Sequence, residues 1–160
     1  GGTFDPAHKG HIKISKEAKK RFGIKKIIWA VTKKNPFKSE SNLSLKKRIQ
    51  YAKKINYKNS FIKVRYFENK IKSNRSIDLI KYIKEKNINS DLFFIMGADS
   101  LINFHKWKKS NSILSICKIL VFDRDRYRAK SLRSVSFKQK GINFVKFNKV
   151  NISSSKLRKI

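Results

Sequence analysis

Few residues in this sequence can cross-link or interrupt the chain. Its 160 residues include one cysteine, two prolines and six glycines. A single cysteine excludes an internal disulfide, and Cys117 lies in the apolar run SILSICKILVF, so we interpret it as a core residue. No stretch approaches the ~18 apolar residues that span a membrane, and the start is polar and glycine-rich. We therefore expect a cytoplasmic protein in a reducing compartment, with no membrane partner.

Acidic residues are also scarce, with 10 against 41 basic ones and a formal net charge of +31. Such a charge is typical of proteins that bind nucleic acid. However, 32 of the basic residues are lysines spread over almost every predicted element, whereas base recognition more often uses arginine or exposed aromatics. Lysine together with 21 isoleucines and 13 asparagines suggests a genome biased toward A and T. We do not expect nucleic acid as the main partner, although a basic nucleic-acid-binding protein stays an alternative; the positive field should attract anionic small molecules such as nucleotides.

Helical and strand patterns alternate along the chain. Ile14, Ala18 and Phe22 are four residues apart on one face of a predicted helix, which Gly23 ends. The predicted helices are HIKISKEAKKRF, LSLKKRIQYAKKI, SIDLIKYIKEK and the short SNSILSI, the predicted strands are KKIIWAV, FIKVRYF, DLFFIMG, KILVF and INFVKF, and SSSKLRKI resembles a serine-capped helix start. This alternation predicts an α/β fold with a parallel sheet covered by helices on both faces. No linker or repeat divides the sequence, so we expect one domain over 1–160.

Several polar stretches follow predicted strands. NPFK follows IIWAV, GADS follows LFFIM, and NISSSKLR follows FVKF. Ligands of open α/β sheets bind beyond the carboxyl ends of the strands, so these stretches are candidate site segments. GGTFDPAHKGH would complete the set if a strand preceded it.

The opening stretch has its own binding chemistry. Gly1 and Gly2 allow a backbone to approach a ligand closely, and the chain then turns at Asp5-Pro6 and enters a predicted helix. His8 and His11 are three residues apart, so they share a face of its first turn, where anions are favoured. Two imidazoles there can donate hydrogen bonds to phosphate oxygens. The alternatives are two surface histidines in a turn, or a metal-binding pair.

The combination of motifs resembles a known group of enzymes. GGTFDPAHKGH resembles the G-T-F-D-P and H-x-G-H signature of the nucleotidylyltransferase superfamily, and ISSSKLR at 152–158 resembles its distal I-S-S-x-x-x-R. Between them, FFIMGADSLINFHKWKKS, WAVTKKNPFKS and LSLKKRIQYA, with Arg48, resemble nicotinate-nucleotide adenylyltransferases over nearly the whole chain. Phosphopantetheine adenylyltransferases share the first motif and a similar serine motif, but they are not expected to carry GADSLINFHKW; they stay the alternative within the superfamily.

The resemblance implies a Rossmann-like nucleotidylyltransferase fold, with a doubly wound parallel sheet. Members of the family begin with a short strand just before the first glycine and continue with more helix after the last motif. We therefore expect that the single domain is truncated at both ends, that its first strand is missing, and that the 160-residue chain alone is unstable. The sequence leaves a homo-oligomer open.

The resemblance also implies the reaction: ATP and nicotinate mononucleotide give nicotinate adenine dinucleotide and pyrophosphate, a step of NAD biosynthesis. By resemblance, His8, His11 and Arg158 are catalytic, with His11 the stronger candidate for stabilising the transition state. The implied ATP-contacting residues are Gly2, Thr3, Phe4, Ser153 and Ser154, of which the two serines could also simply cap a helix. Mg²⁺ is expected as a cofactor carried by the ATP phosphates, because the sequence shows no carboxylate cluster for a dedicated metal site.

The implied substrate-binding residues are Trp107, Asp99, Ser76, Asn35 and Lys38. Trp107 resembles the aromatic that stacks on the nicotinate ring, with a core tryptophan as the alternative. Asp99 follows a strand and is placed to contact ribose or backbone, with a helix N-cap as the alternative. Ser76 stands where relatives have threonine, Arg75 stands where an aromatic is common, and Phe37 stands where some relatives have histidine.

Overall fold

The protein's structure, a computed structural model, describes residues 1–147. The serine-rich motif, with Ser153, Ser154 and Arg158, and the helix predicted there lie outside the described residues. The chain divides into two compact units, one containing Gly1–Asn74 and a second beginning at Arg75.

Over residues 1–74, the first unit contains two parallel strands and three helices. Its elements are α1 (Lys9–Phe22), β1 (Ile27–Ala30), α2 (Leu45–Ile55), β2 (Ile62–Arg65) and α3 (Glu68–Ile71). β1 pairs with β2 in parallel, with Ile27 opposite Ile62. Gly2 adds an isolated parallel bridge to Val31, so the start of the chain lies beside the end of β1.

Local sequence accounts for the limits of these elements. α1 ends at Gly23, which adopts the left-handed conformation with φ of 62° that glycine tolerates best. α2 begins after Ser44, whose hydroxyl accepts a hydrogen bond from the backbone N–H of Lys47. β2 alternates buried and exposed residues along IKVR, as a strand covered on one face does.

The described part of the second unit contains three parallel strands. Its elements are α4 (Ser76–Lys86), β3 (Phe93–Gly97), α5 (Ala98–Leu101), α6 (Ser110–Ile116), β4 (Lys118–Phe122), α7 (Arg128–Leu132) and β5 (Ile142–Val145). The strand order is β3-β4-β5, with Phe93 opposite Lys118 and Ile119 opposite Ile142. The strands and helices enclose one cluster of buried apolar side chains, in which Ile113 and Ile119 are fully buried.

The α/β class and the parallel pairing predicted from the sequence are confirmed, and the strands form one parallel sheet in each unit. All five predicted strands occur, whereas α3, α5 and α7, each four or five residues long, were not predicted. Cys117 is buried as expected, and burial raises the pKa of its thiol to about 11. Within residues 1–147, the helices are too short or too polar to cross a membrane.

Candidate active site

The two histidines of the opening stretch cap α1 reciprocally. His8 is the N-cap, and its Nδ1 accepts a hydrogen bond from the backbone N–H of Gly10 at 3.1 Å. His11 Nδ1 accepts in turn from the backbone N–H of His8, also at 3.1 Å. An imidazole whose Nδ1 accepts a hydrogen bond carries its proton on Nε2 when neutral. The neutral form of each ring therefore carries its proton on Nε2, an atom that is buried in His8.

The rings lie together at a favourable place for an anion. Their centroids are 3.9 Å apart, His8 is 6% exposed, and His11 is partly exposed. The first turn of the 14-residue α1 has no acidic residue, so the positive end of the helix is not neutralised there. The alternative of two surface histidines is wrong for His8, which is buried. The reciprocal capping favours hydrogen bonding to a phosphate over a metal pair.

Phe4 packs between His11 and Trp29, a core residue of the first unit. Its backbone φ is 47°, a left-handed conformation that costs a non-glycine residue roughly 1–3 kcal/mol. Its ring stacks on that of Trp29 at 4.9 Å and lies 4.9 Å from the ring of His11. Trp29 Nε1 donates to Ser15 Oγ, and Ser15 Oγ donates to the carbonyl oxygen of His11, each at 2.9 Å. Trp29 thus supports Phe4 directly, and it supports His11 through the ring of Phe4 and through the hydroxyl of Ser15.

Gly2 and Thr3 are fixed through their backbone. The N–H of Gly2 donates to the carbonyl oxygen of Ala30 at 3.1 Å, and the N–H of Thr32 donates to the carbonyl oxygen of Gly2 at 2.9 Å. The carbonyl oxygen of Thr3 accepts a 2.6 Å hydrogen bond from Arg48 Nη1. The GTFDP loop is therefore tied to the end of β1 and to α2.

Asp5 and Arg48 are buried charges that bind backbone groups. Asp5 accepts hydrogen bonds from the N–H groups of Asn42 and Leu43 at 2.7 and 3.0 Å. The guanidinium of Arg48 donates to four carbonyl oxygens, which belong to Thr3, Thr32, Lys33 and Leu43. Burial lowers the pKa of Arg48, while the negative charges of Asp5 and Glu68 oppose this effect. Arginine stays a cation at neutral pH all the same.

Asn35 and Lys38 belong to one turn after β1. The Oδ1 atom of Asn35 accepts from the N–H of Phe37 at 2.9 Å, and its carbonyl oxygen accepts from the N–H of Lys38 at 3.1 Å. Asn35 therefore shapes the turn, and the side chain of Lys38 is exposed.

In the second unit, Asp99 lies at the carboxyl end of β3. The N-cap of α5 is Gly97, so Asp99 is in the first turn of the helix and the N-cap alternative is wrong. Its Oδ2 forms an ion pair with Arg124 Nη1 at 3.0 Å. A Cβ atom on Gly97 would lie 2.6 Å from Asp99 Oδ1, so a side chain at position 97 would shift this carboxylate from its place.

Ser76 and Trp107 lie elsewhere in that unit. Ser76 is the first residue of α4, where Arg75 and Asp78 form an ion pair at 2.8 Å. Trp107 is partly buried, and its ring meets those of Phe94 and Phe104 edge to face at 5.9 and 5.4 Å. One side of Trp107 thus packs in the core, in line with the alternative of a core tryptophan, while the residue as a whole is partly exposed.

Across residues 1–147, no group of three or more His, Cys, Asp or Glu side chains could hold a metal ion. The candidate site instead offers N–H donors, which match phosphate oxygens.

The structure brings His8, His11, Gly2, Thr3 and Phe4 together in the first unit. Asn35 and Lys38 follow directly on the segment that Arg48 binds. The roles of four residues were not predicted from the sequence: Trp29, Asp5, Arg48 and Arg124. The signal for Arg48 was present, since it lies four residues before Ala52 on the buried face of α2.

Comparison with known proteins extends the resemblance over the whole chain. The cytidylyltransferase-like family model matches residues 1–160. A relative from Pelagibacter ubique (strain HTCC1062), named a probable nicotinate-nucleotide adenylyltransferase, is 58% identical over 163 residues, which cover 100% of this chain and 90% of the relative. A relative of the same name from Aquifex aeolicus (strain VF5) is 30% identical, with 97% and 96% covered.

The fold is also that of a solved structure. The nicotinic acid mononucleotide adenylyltransferase of Plasmodium falciparum, complexed with NaAD, matches with a TM-score of 0.74 at 19% identity, over 99% of this chain and 80% of that chain. Its complex with APC matches with a TM-score of 0.75. The chain belongs to the cytidylyltransferase-like family and, within it, to the nicotinate-nucleotide adenylyltransferases.

Proposed function

We propose that this chain transfers the adenylyl group of ATP to nicotinate mononucleotide, forming nicotinate adenine dinucleotide and pyrophosphate. The observation that carries the proposal is the pair of histidines at the start of α1, whose Nδ1 atoms accept backbone hydrogen bonds beside the GTFDP loop. The 58% identical relative supports the choice of acceptor, because its name specifies that reaction.

The reaction needs no strong general base. A phosphate oxygen of the mononucleotide, already an anion, forms a bond to the α-phosphorus of ATP. The bond from that phosphorus to the oxygen bridging to the β-phosphate breaks, and pyrophosphate leaves with the electron pair. Catalysis then consists of positioning the two substrates and neutralising charge that moves toward the leaving group.

The residues of the first unit suit that task. His11 is partly exposed and donates from Nε2 to the ATP phosphates, where its hydrogen bond strengthens as charge moves onto the leaving group. His8 is proposed to act together with His11, whose ring it fixes by donating its backbone N–H to His11 Nδ1. Gly2, Thr3 and Phe4 line the phosphates with backbone. Arg158, Ser153 and Ser154 are proposed to hold the outgoing phosphates, since a guanidinium fork matches phosphate oxygens. Mg²⁺ arrives with ATP as part of that substrate.

The acceptor is proposed to contact Trp107, Asp99, Ser76, Asn35 and Lys38. Nicotinate mononucleotide carries a ring carboxylate that the nicotinamide form lacks. A site that pairs this carboxylate leaves buried donors unsatisfied when an amide takes its place, so the acid form is preferred.

The test measures pyrophosphate release from Mg-ATP with nicotinate mononucleotide as acceptor. We expect release that requires the mononucleotide, and a fall in kcat of about 10²–10³-fold for His11→Ala, as for loss of one donor to transition-state charge. Lys20→Ala, on the exposed face of the last turn of α1, is the control that should leave the rate unchanged.

Further acceptors decide between the alternatives. Phosphopantetheine should give no release, and nicotinamide mononucleotide should react more slowly than the acid form. Release with phosphopantetheine alone would overturn the proposal in favour of that adenylyltransferase. Strong, salt-steep binding to DNA without any nucleotide turnover would instead favour a nucleic-acid-binding protein.

A further inference from the structure

The guanidinium of Arg48 donates hydrogen bonds to three separate backbone segments of the first unit. Its side chain is 2% exposed, although it comes from a helix that is otherwise rich in exposed lysine. Nη1 donates to the carbonyl oxygens of Thr3 and Thr32 at 2.6 and 2.7 Å. Nη2 donates to that of Lys33 at 3.0 Å, and Nε donates to that of Leu43 at 3.0 Å. Four of the five N–H donors thus bind main-chain oxygen.

The four carbonyl oxygens that Arg48 binds belong to segments next to the proposed substrate sites. Thr3 lies in the GTFDP loop, between Gly2 and Phe4. Thr32 and Lys33 follow β1 and lead into the turn of Asn35. Leu43 precedes α2, so one planar group fixes the spacing between the proposed phosphate loop and the segment that leads to the proposed acceptor turn.

Asp5 completes the arrangement from the loop side. Its carboxylate accepts from the N–H groups of Asn42 and Leu43, the segment whose carbonyl oxygen Arg48 binds. Each of the two charged groups therefore binds backbone groups. They also attract each other, and the negative charge of Asp5 raises the pKa of Arg48.

Arginine is suited to this position by its shape. The guanidinium is planar and directs its donors in a fixed fork, whereas lysine offers three donors from one point on a flexible stem. A lysine at position 48 can satisfy one or two of the carbonyl oxygens and leaves the remainder buried without a donor, which is costly.

We propose that Arg48 is a positioning residue for adenylyl transfer, holding the Gly2–Phe4 segment and the 33–38 segment at the spacing that the two substrates require. The proposal rests on the proposed function. Arg48 touches neither substrate; it acts through the carbonyl oxygens of Thr3, Thr32 and Lys33. A shift of about 1 Å in reacting groups can cost about 10²-fold in rate, so losing this support should lower turnover strongly.

The experiment replaces Arg48 and then supplies its missing group. We expect Arg48→Ala to lower kcat by roughly 10²-fold and Arg48→Lys by roughly 10-fold. About 20 mM guanidinium, far below the molar concentrations that unfold proteins, should raise kcat of Arg48→Ala at least several-fold. Methylammonium at the same concentration should not, because it lacks the fork.

Controls separate positioning from folding. Arg21→Lys, an exposed exchange of the same type in α1, should keep wild-type kinetics. Near-ultraviolet circular dichroism and the unfolding midpoint give the folded fraction of each variant. If Arg48→Ala does not fold, the comparison rests on Arg48→Lys against Arg21→Lys, with rates corrected to folded protein.

Two results would overturn the proposal. One is a kcat of folded Arg48→Lys equal to that of wild type. The other is a recovery of Arg48→Ala by methylammonium equal to that by guanidinium. The proposed function fails differently, since in that case the wild-type chain itself releases no pyrophosphate with nicotinate mononucleotide.

Discussion

At the scale of single residues, Trp29 connects the core of the first unit to the candidate site. Its ring is 4% exposed and stacks on Phe4, whose left-handed backbone costs roughly 1–3 kcal/mol. An aromatic pair contributes about 0.5–1.5 kcal/mol beyond its buried area, so this stack offsets a large part of that cost. Without it, Phe4 can relax to an ordinary conformation and carry the adjoining backbone with it.

We predict that Trp29→Leu lowers kcat for pyrophosphate release about 3- to 10-fold, the range that matches the energy of the lost stack. Trp29→Phe keeps a stacked ring and should lose less. Ile113→Ala, a core truncation in the second unit, controls for loss of stability, since Ile113 belongs to the buried apolar cluster of that unit. Equal rates for Trp29→Leu and wild type, per folded molecule, would contradict the role of the stack.

Residue roles were the hardest part of the site to predict from sequence. The spacing of His8 and His11 indicated a shared helical face, and the structure adds that His8 Nδ1 accepts from the backbone N–H of Gly10 while His11 Nδ1 accepts from that of His8. The partners of Arg48 could not be predicted, because they are carbonyl oxygens of residues 5, 15, 16 and 45 positions away, and any residue type supplies a carbonyl. Side-chain identity therefore indicated which residues can donate hydrogen bonds, whereas their acceptors became known only from the fold.

At the scale of elements, the sequence predicted long periodic segments well and short ones poorly. α1, α2 and α4 span three or four turns, so their apolar positions recur often enough to be recognised. α5 and α7 contain four and five residues, which complete little more than one turn and show no period. The pairing of strands into two sheets depends on contacts between segments, which local patterns do not encode.

Gly23 gives a prediction about α1. Its φ is 62°, and a Cβ atom there would meet nothing within 4 Å, so a substitution costs backbone strain alone. Gly23→Ala should lower the free energy of unfolding by about 1 kcal/mol, and Gly23→Asn by less, because asparagine tolerates this conformation. Denaturant titrations measure both values. A Gly23→Ala variant as stable as wild type would show that α1 ends differently, and kcat should be unchanged in either variant.

At the scale of the whole molecule, charge is the dominant property. Ten carboxylates can neutralise at most ten of the 41 cationic side chains, which leaves the net charge of +31. Like charges repel and destabilise the compact state, while the same field attracts anionic substrates such as ATP. Folding and substrate binding therefore respond to this charge in opposite directions.

Salt should separate these two effects. Raising NaCl from about 0.1 to about 1 M shortens the screening length from about 10 to about 3 Å. We predict that the unfolding temperature rises, because self-repulsion is screened, and that KM for ATP also rises, because its attraction is screened. Calorimetry measures the unfolding temperature and initial rates give KM, on the same samples. Samples with sucrose in place of the added NaCl control for general solvent exclusion. A fall in unfolding temperature together with an unchanged KM would mean that the cations act locally, through particular contacts, and that the net charge of the molecule carries neither effect.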